Sequence, residues 1–137
     1  IRVFNKRDGF WERALANLET IGEAAPGCRI TLNDLDDADA LRASIGTSDI
    51  LTNATRVGMK PMDGESLITD LTMLRPGLIV TDVVYDPEET RLLREAKAAG
   101  CVTFDGLGML VEQGAASFKL YTGLEMPVDE VCDAIYR

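Results

Sequence analysis

The chain is predicted to be an α/β protein, a parallel sheet with flanking helices. Three observations predict this. Short apolar and β-branched runs recur at Ile1–Phe4, Cys28–Leu32, Ile50–Asn53, Leu78–Thr81 and Cys101–Phe104. Segments with helical spacing lie between them, and that alternation is the pattern of parallel strands joined by crossover helices. Glycine and proline punctuate the boundaries, as at Pro26-Gly27 and Gly100.

The elements follow in order. Ile1 to Phe4 is a strand that begins abruptly. Trp11, Ala14, Leu15, Leu18 and Ile21 recur at helical spacing until Pro26-Gly27 stops the helix. Cys28 to Leu32 reads as the next strand. Asp34 or Asp36 caps the helix carrying Ala38, Leu41 and Ile45, because a short carboxylate accepts the free N–H groups of a first turn. Ile50 to Asn53 is a strand, followed by a loop holding Gly58, Pro61 and Gly64. A short helix around Ser66 to Met73 leads to the strand Leu78 to Thr81. Pro87 stands at or just before the next helix, which turns Leu92, Leu93, Ala96 and Ala99 inward and ends at Gly100. After the strand Cys101 to Phe104 come a helix from near Gly106 and a final one opened by Pro127.

Composition narrows the function classes. A length of 137 residues reads as one domain, large enough to bury roughly two-thirds of its unfolded surface. A net charge of −9 argues against nucleic acid or an anionic membrane as partner. No apolar run approaches the ~20 residues of a membrane span, and no signal peptide is visible, so a cytoplasmic location is expected. Cys28, Cys101 and Cys132 lack C-x-x-C spacing and read as reduced thiols, and without histidine no zinc site is expected. The acidic group Asp34, Asp36, Asp37 and Asp39 reads as a solvated helix start, so no metal is expected. A chain with no histidine cannot carry a histidine base.

The most informative stretch is Asp105-Gly-Leu-Gly-Met-Leu-Val-Glu-Gln-Gly-Ala-Ala-Ser-Phe-Lys-Leu-Tyr-Thr-Gly123. With a helix starting near Gly106, residues Gly106, Met109 and Gln113 align on one side. Leu107, Leu110, Val111, Gly114 and Phe118 form the packing side. A glycine admits close approach to the backbone, Met109 is a soft apolar wall, and Gln113 both donates and accepts hydrogen bonds. This is a candidate ligand-facing helix.

The segment closely resembles the C-terminal signature of the shikimate and quinate dehydrogenases, D-G-x-x-M-L-x-x-Q-G-A-x-x-F-x-x-W/Y-T-G. Asn53-Ala-Thr-Arg-Val-Gly-Met59 is similar to the family's N-x-T-x-x-G-M segment, and Asp82-Val-Val-Tyr-Asp-Pro87 to its D-V-V-Y-N-P segment. The resemblance covers essentially the whole chain. It implies a Rossmann-like nucleotide domain with NAD or NADP as cofactor, shikimate or quinate as substrate, and a homodimer of the full-length protein.

The resemblance also implies roles for residues. Asn5, Lys6, Arg7 and Asp8 follow the opening strand, where the adenosine ribose is read. Asp8 suits the ribose hydroxyls of NAD, whereas Lys6 and Arg7 suit the 2′-phosphate of NADP. Arg56 would contact the nucleotide, pairing with the pyrophosphate or stacking over adenine. The backbone of Val83, Val84, Tyr85 and Asp86 would line the nicotinamide half, with Tyr85 approaching the substrate. Asp86 stands where the family commonly has Asn. Gly106 would sit against the nicotinamide with Met109 close by, and Gln113 would hydrogen-bond the substrate. By itself Tyr85 reads equally well as a core residue with a satisfied hydroxyl.

In this family a substrate domain comes first and supplies the catalytic Lys and Asp. The first Rossmann strand and its glycine-rich loop follow. None of these matches a segment here, so the expectation is a partial nucleotide domain over 1–137 with no catalytic residue of its own and no turnover in isolation. In the usual strand order 3-2-1-4-5-6 the first strand is central. Its absence leaves two unpaired edges, or a sheet closed up around the gap. A non-catalytic nucleotide-binding or assembly module of the same ancestry is the rival reading.

Overall fold

The computed structural model describes residues 1–135, which form two compact units divided after Ser48. In the first unit, strand β1 (Arg2–Asn5) pairs in parallel with β2 (Thr31–Asp34), Arg2 opposite Thr31 and Asn5 opposite Asp34. Helix α1 (Trp11–Ala24) makes the crossover, and α2 (Ala38–Gly46) follows β2. Arg2 Nη1 donates to Ser44 O, Thr47 Oγ1 and Ser48 Oγ at 3.1–3.4 Å, placing a cation at the carboxyl end of α2.

Two expectations for this unit are corrected. The second strand begins at Thr31, past the expected Cys28, whose N–H instead donates back to Ala25 O at 2.8 Å in the turn that follows α1. The cap of α2 is Asp37, whose carboxylate accepts the Ala40 N–H at 2.9 Å, whereas Asp34 accepts the Asp36 N–H within the preceding turn. Helix α1 has no buried residue, and Leu15 is 38% exposed. Two strands ~4.8 Å apart make too narrow a floor to cover one face of this helix.

The second unit begins at Asp49. Strands β3 (Ile50–Asn53), β4 (Ile79–Asp82) and β5 (Val102–Phe104) form a parallel sheet in the order β3-β4-β5. Leu78 and Val80 are fully buried at its centre. Helix α3 (Arg91–Ala98) lays Leu92, Leu93 and Ala96 on the sheet. Helix α4 (Leu107–Thr122) follows β5, and α5 (Val128–Ile135) packs on α4. Each unit thus carries its own parallel sheet, β1-β2 in the first and β3-β4-β5 in the second.

Here too the sequence reading needs correction. Only a 3-10 turn, Leu71–Met73, forms in the expected helix around Ser66 to Met73. The Ser66 hydroxyl engages both the N–H and the C=O of Ile68 at 3.3 Å, and this local bonding competes with a helical ladder. Helix α3 starts at Arg91, later than Pro87 suggested, because Thr90 is its N-cap. Of the expected packing side of α4 only Leu107 and Val111 are buried, and Phe118 stays exposed. Strands of three or four residues extend ~10–13 Å, whereas the 16 residues of α4 extend ~24 Å, so only its first turns have sheet beneath them.

Candidate functional site

In the first unit the residues of interest follow β1. Asn5 is half-buried and its carbonyl accepts the Leu35 N–H at 2.9 Å, while Lys6, Arg7 and Asp8 are exposed. Asp8 shapes the turn into α1, its Oδ1 accepting the Phe10 N–H at 2.9 Å and its carbonyl the Trp11 N–H at 3.1 Å. Arg7 Nε lies 3.0 Å from Asp34 Oδ2, and its guanidinium stands 4.7 Å from the centroid of the Trp11 ring. The cation is thus held at the carboxyl end of the strand pair by a carboxylate and an aromatic face.

In the second unit the carboxyl ends of β3 and β4 carry adjacent polar residues, Asn53 opposite Asp82. Both are buried, 4% and 3% exposed, and Thr90 beside them is 0% exposed. Asn53 Nδ2 donates to Asp82 Oδ1 at 3.0 Å and to Val57 O at 2.9 Å. Its Oδ1 accepts from Thr55 N–H at 3.0 Å and from the Thr55 hydroxyl at 2.8 Å. Asp82 Oδ1 also accepts the Val84 N–H at 3.0 Å, and Oδ2 accepts the Thr90 hydroxyl at 2.8 Å. Gly58 closes the loop at φ +102°, where a Cβ would stand 3.1 Å from Thr90 Cγ2. Sequence reasoning marked Asn53 and Asp82 only as motif ends and missed Thr90. A threonine directly before the apolar stripe of α3 was the available signal.

The turn after β4 meets the start of α4. Gly106 N–H donates to Val84 O at 3.2 Å, and a Cβ on Gly106 would fall 2.4 Å from Val83 O and 2.7 Å from Val84 O. Gly106 is buried at this contact, so the close approach its lack of a side chain permits is used by the protein backbone itself. Tyr85 is 47% exposed and Met109 53% exposed. Arg56, Asp86 and Gln113 are also exposed, and Gln113 Nε2 donates to Leu110 O at 3.2 Å. Tyr85 is therefore not a core residue.

An exposed carboxylate and two cations follow β1, and an exposed aromatic, a methionine and an amide stand around the β4 and α4 turns. No glycine-rich phosphate cradle is among them. Among the described residues no group of three or more His, Cys, Asp or Glu could hold a metal ion, and no helix is long and apolar enough to cross a membrane.

Parallel strands joined by helices, with polar groups gathered at the strands' carboxyl ends, define a Rossmann-like α/β domain. Residues 106–136 match the model of the Shikimate 5′-dehydrogenase C-terminal domain. Quinate/shikimate dehydrogenase from Escherichia coli O139:H28 is 47% identical over 131 residues, which cover 96% of this chain and 45% of the relative. Shikimate 5-dehydrogenase from Listeria monocytogenes, solved with shikimate and NAD, superposes with a TM-score of 0.92 at 47% identity, covering 98% of this chain and 46% of that one. Quinate dehydrogenase from Corynebacterium glutamicum, solved with NAD, gives 0.82 at 32% identity, covering 98% and 45%. The chain is thus similar over nearly its whole length to the C-terminal part of shikimate and quinate dehydrogenases. It spans about half the length of the curated relatives it matches.

Proposed function

We propose that this chain is the nucleotide-binding part of a dehydrogenase that moves hydride reversibly between shikimate or quinate and NAD(P), giving the 3-dehydro ketone. The observation that carries the reading is the exposure of Tyr85, Met109 and Gln113 around one backbone junction, Gly106 against Val83 and Val84. Asn5, Lys6, Arg7 and Asp8 would hold the adenosine ribose end. Arg56 would contact the nucleotide, and Val83, Val84, Tyr85, Asp86, Gly106 and Met109 would line the nicotinamide. When bound, the nicotinamide supplies the hydride chemistry. The chain's own groups bind and orient, with Tyr85 and Gln113 facing the polyhydroxy acid and excluding water.

Proton transfer would fall to a Lys and an Asp in the part of the relatives outside the match, and the 137 residues by themselves would not turn over. A cytoplasmic location and a homodimer accompany this reading. The test joins the unmatched part of the E. coli relative to this chain and follows nicotinamide reduction with shikimate or quinate, under NAD and NADP separately. Turnover is expected in the fusion and not in the chain. Nucleotide binding without turnover would favour the non-catalytic module.

A further inference from the structure

We propose that Asp82 is a positioning residue: its buried carboxylate holds the Arg56 loop and the Tyr85 turn in the one arrangement that binds nucleotide and substrate. This rests on the function proposed above. Three donors from three segments converge on the carboxylate: Asn53 Nδ2 and Val84 N–H on Oδ1, each at 3.0 Å, and the Thr90 hydroxyl on Oδ2 at 2.8 Å. Hydrogen bonds to an ionised acceptor are about twice as strong as neutral ones.

Each donor extends outward. Asn53 ties Val57 O and Thr55, which bracket Arg56. Val84 carries the turn to Tyr85, and its carbonyl accepts the Gly106 N–H that opens α4, the helix of Met109 and Gln113. Thr90 accepts the Leu93 N–H at 3.3 Å, capping α3, and its methyl abuts Gly58. Asp82 itself is buried and its described side-chain bonds go to Asn53, Val84 and Thr90, so its influence passes through these partners.

The chemistry admits no isosteric replacement. In Asp82→Asn an amide oxygen turned toward Asn53 and Val84 leaves the NH2 facing the Thr90 hydroxyl, whose own proton then has lost the carboxylate oxygen it was donated to. The reverse orientation sets the NH2 against two N–H donors. Either way a buried donor loses its acceptor.

The test uses the chain itself, isotope-labelled, with NAD as the probe. Wild type is compared with Asp82→Asn, Thr90→Val, Thr90→Ser and a core variant, Leu93→Ala, at a denaturant concentration that matches their global stability. Amide exchange at Thr55, Val57 and Val84 is read against Val83, whose N–H is held by the backbone carbonyl of Asn53. In Asp82→Asn and Thr90→Val, exchange at these amides is expected to speed up relative to Val83, and NAD affinity to fall about tenfold. Thr90→Ser, which keeps the hydroxyl, should recover most of the affinity that Thr90→Val loses. Wild-type exchange and affinity in Asp82→Asn would overturn the proposal, as would an equal loss of affinity in the core variant. If wild type binds no NAD, the functional reading fails, and the exchange rates alone decide whether Asp82 holds the two loops.

Discussion

The carbonyl oxygen of Val83 lies 2.4 Å from the point where a Cβ on residue 106 would stand, a separation real Cβ atoms essentially never show. Both obstructing groups are backbone, so neither can swing aside. Gly106→Ala should therefore push β4 and α4 apart at their junction and cost about 1–3 kcal/mol, the range for overpacked sites. Gly108, two residues on, has nothing within 4 Å of its own virtual Cβ. Gly108→Ala should be neutral or stabilising by about 0.5–1 kcal/mol. Thermal melts of the two variants check the pair, and equal melting points would refute the contact.

Burial separates the two units energetically. Leu78 is fully buried under the three-stranded sheet, and Leu78→Ala should cost about 2–5 kcal/mol. Leu15 belongs to a comparable apolar stripe yet is 38% exposed, so Leu15→Ala should cost roughly 1 kcal/mol or less. Denaturant titration would show both.

Arg7 and Asp34 form a pair whose side chains are 68% and 29% exposed, worth only about 0–1 kcal/mol. Arg7→Ala should leave the melting temperature nearly unchanged. It should weaken NADP more than NAD, because only NADP carries the 2′-phosphate a guanidinium can pair with. Calorimetric titration with both nucleotides checks this. Equal losses for the two would remove Arg7 from the reading of the phosphate.

Gln113 is exposed and the one described bond of its side chain, to Leu110 O, lies within its own helix. Gln113→Ala should move stability by no more than about 0.5 kcal/mol. In the active fusion it should raise the KM for shikimate roughly tenfold. A lowered melting temperature with an unchanged KM would make Gln113 a packing residue instead.

Much of this was legible in the residues. The alternation of apolar runs and helical stripes predicted the order of strands and helices, and the capping chemistry of α2 was foreseen in kind, though Asp37 acts where Asp34 or Asp36 was expected. Short-range preference could not choose among aspartates that all suit the same turn. Phe118 shows the opposite limit. Its periodic place on α4 was readable, but its exposure depends on how far the sheet reaches beneath the helix.

What the sequence determined by itself was local: the order of elements, the positions of three motifs, and a set of polar residues at strand ends. Which strands pair, what Gly106 rests against and what Asp82 gathers were decided only in the tertiary structure. The physical reason is separation along the chain. Asn53 and Asp82 stand 29 positions apart and meet because parallel pairing sets them in register. A side chain buried among three segments answers to all of them at once, and no window of neighbouring residues contains that information.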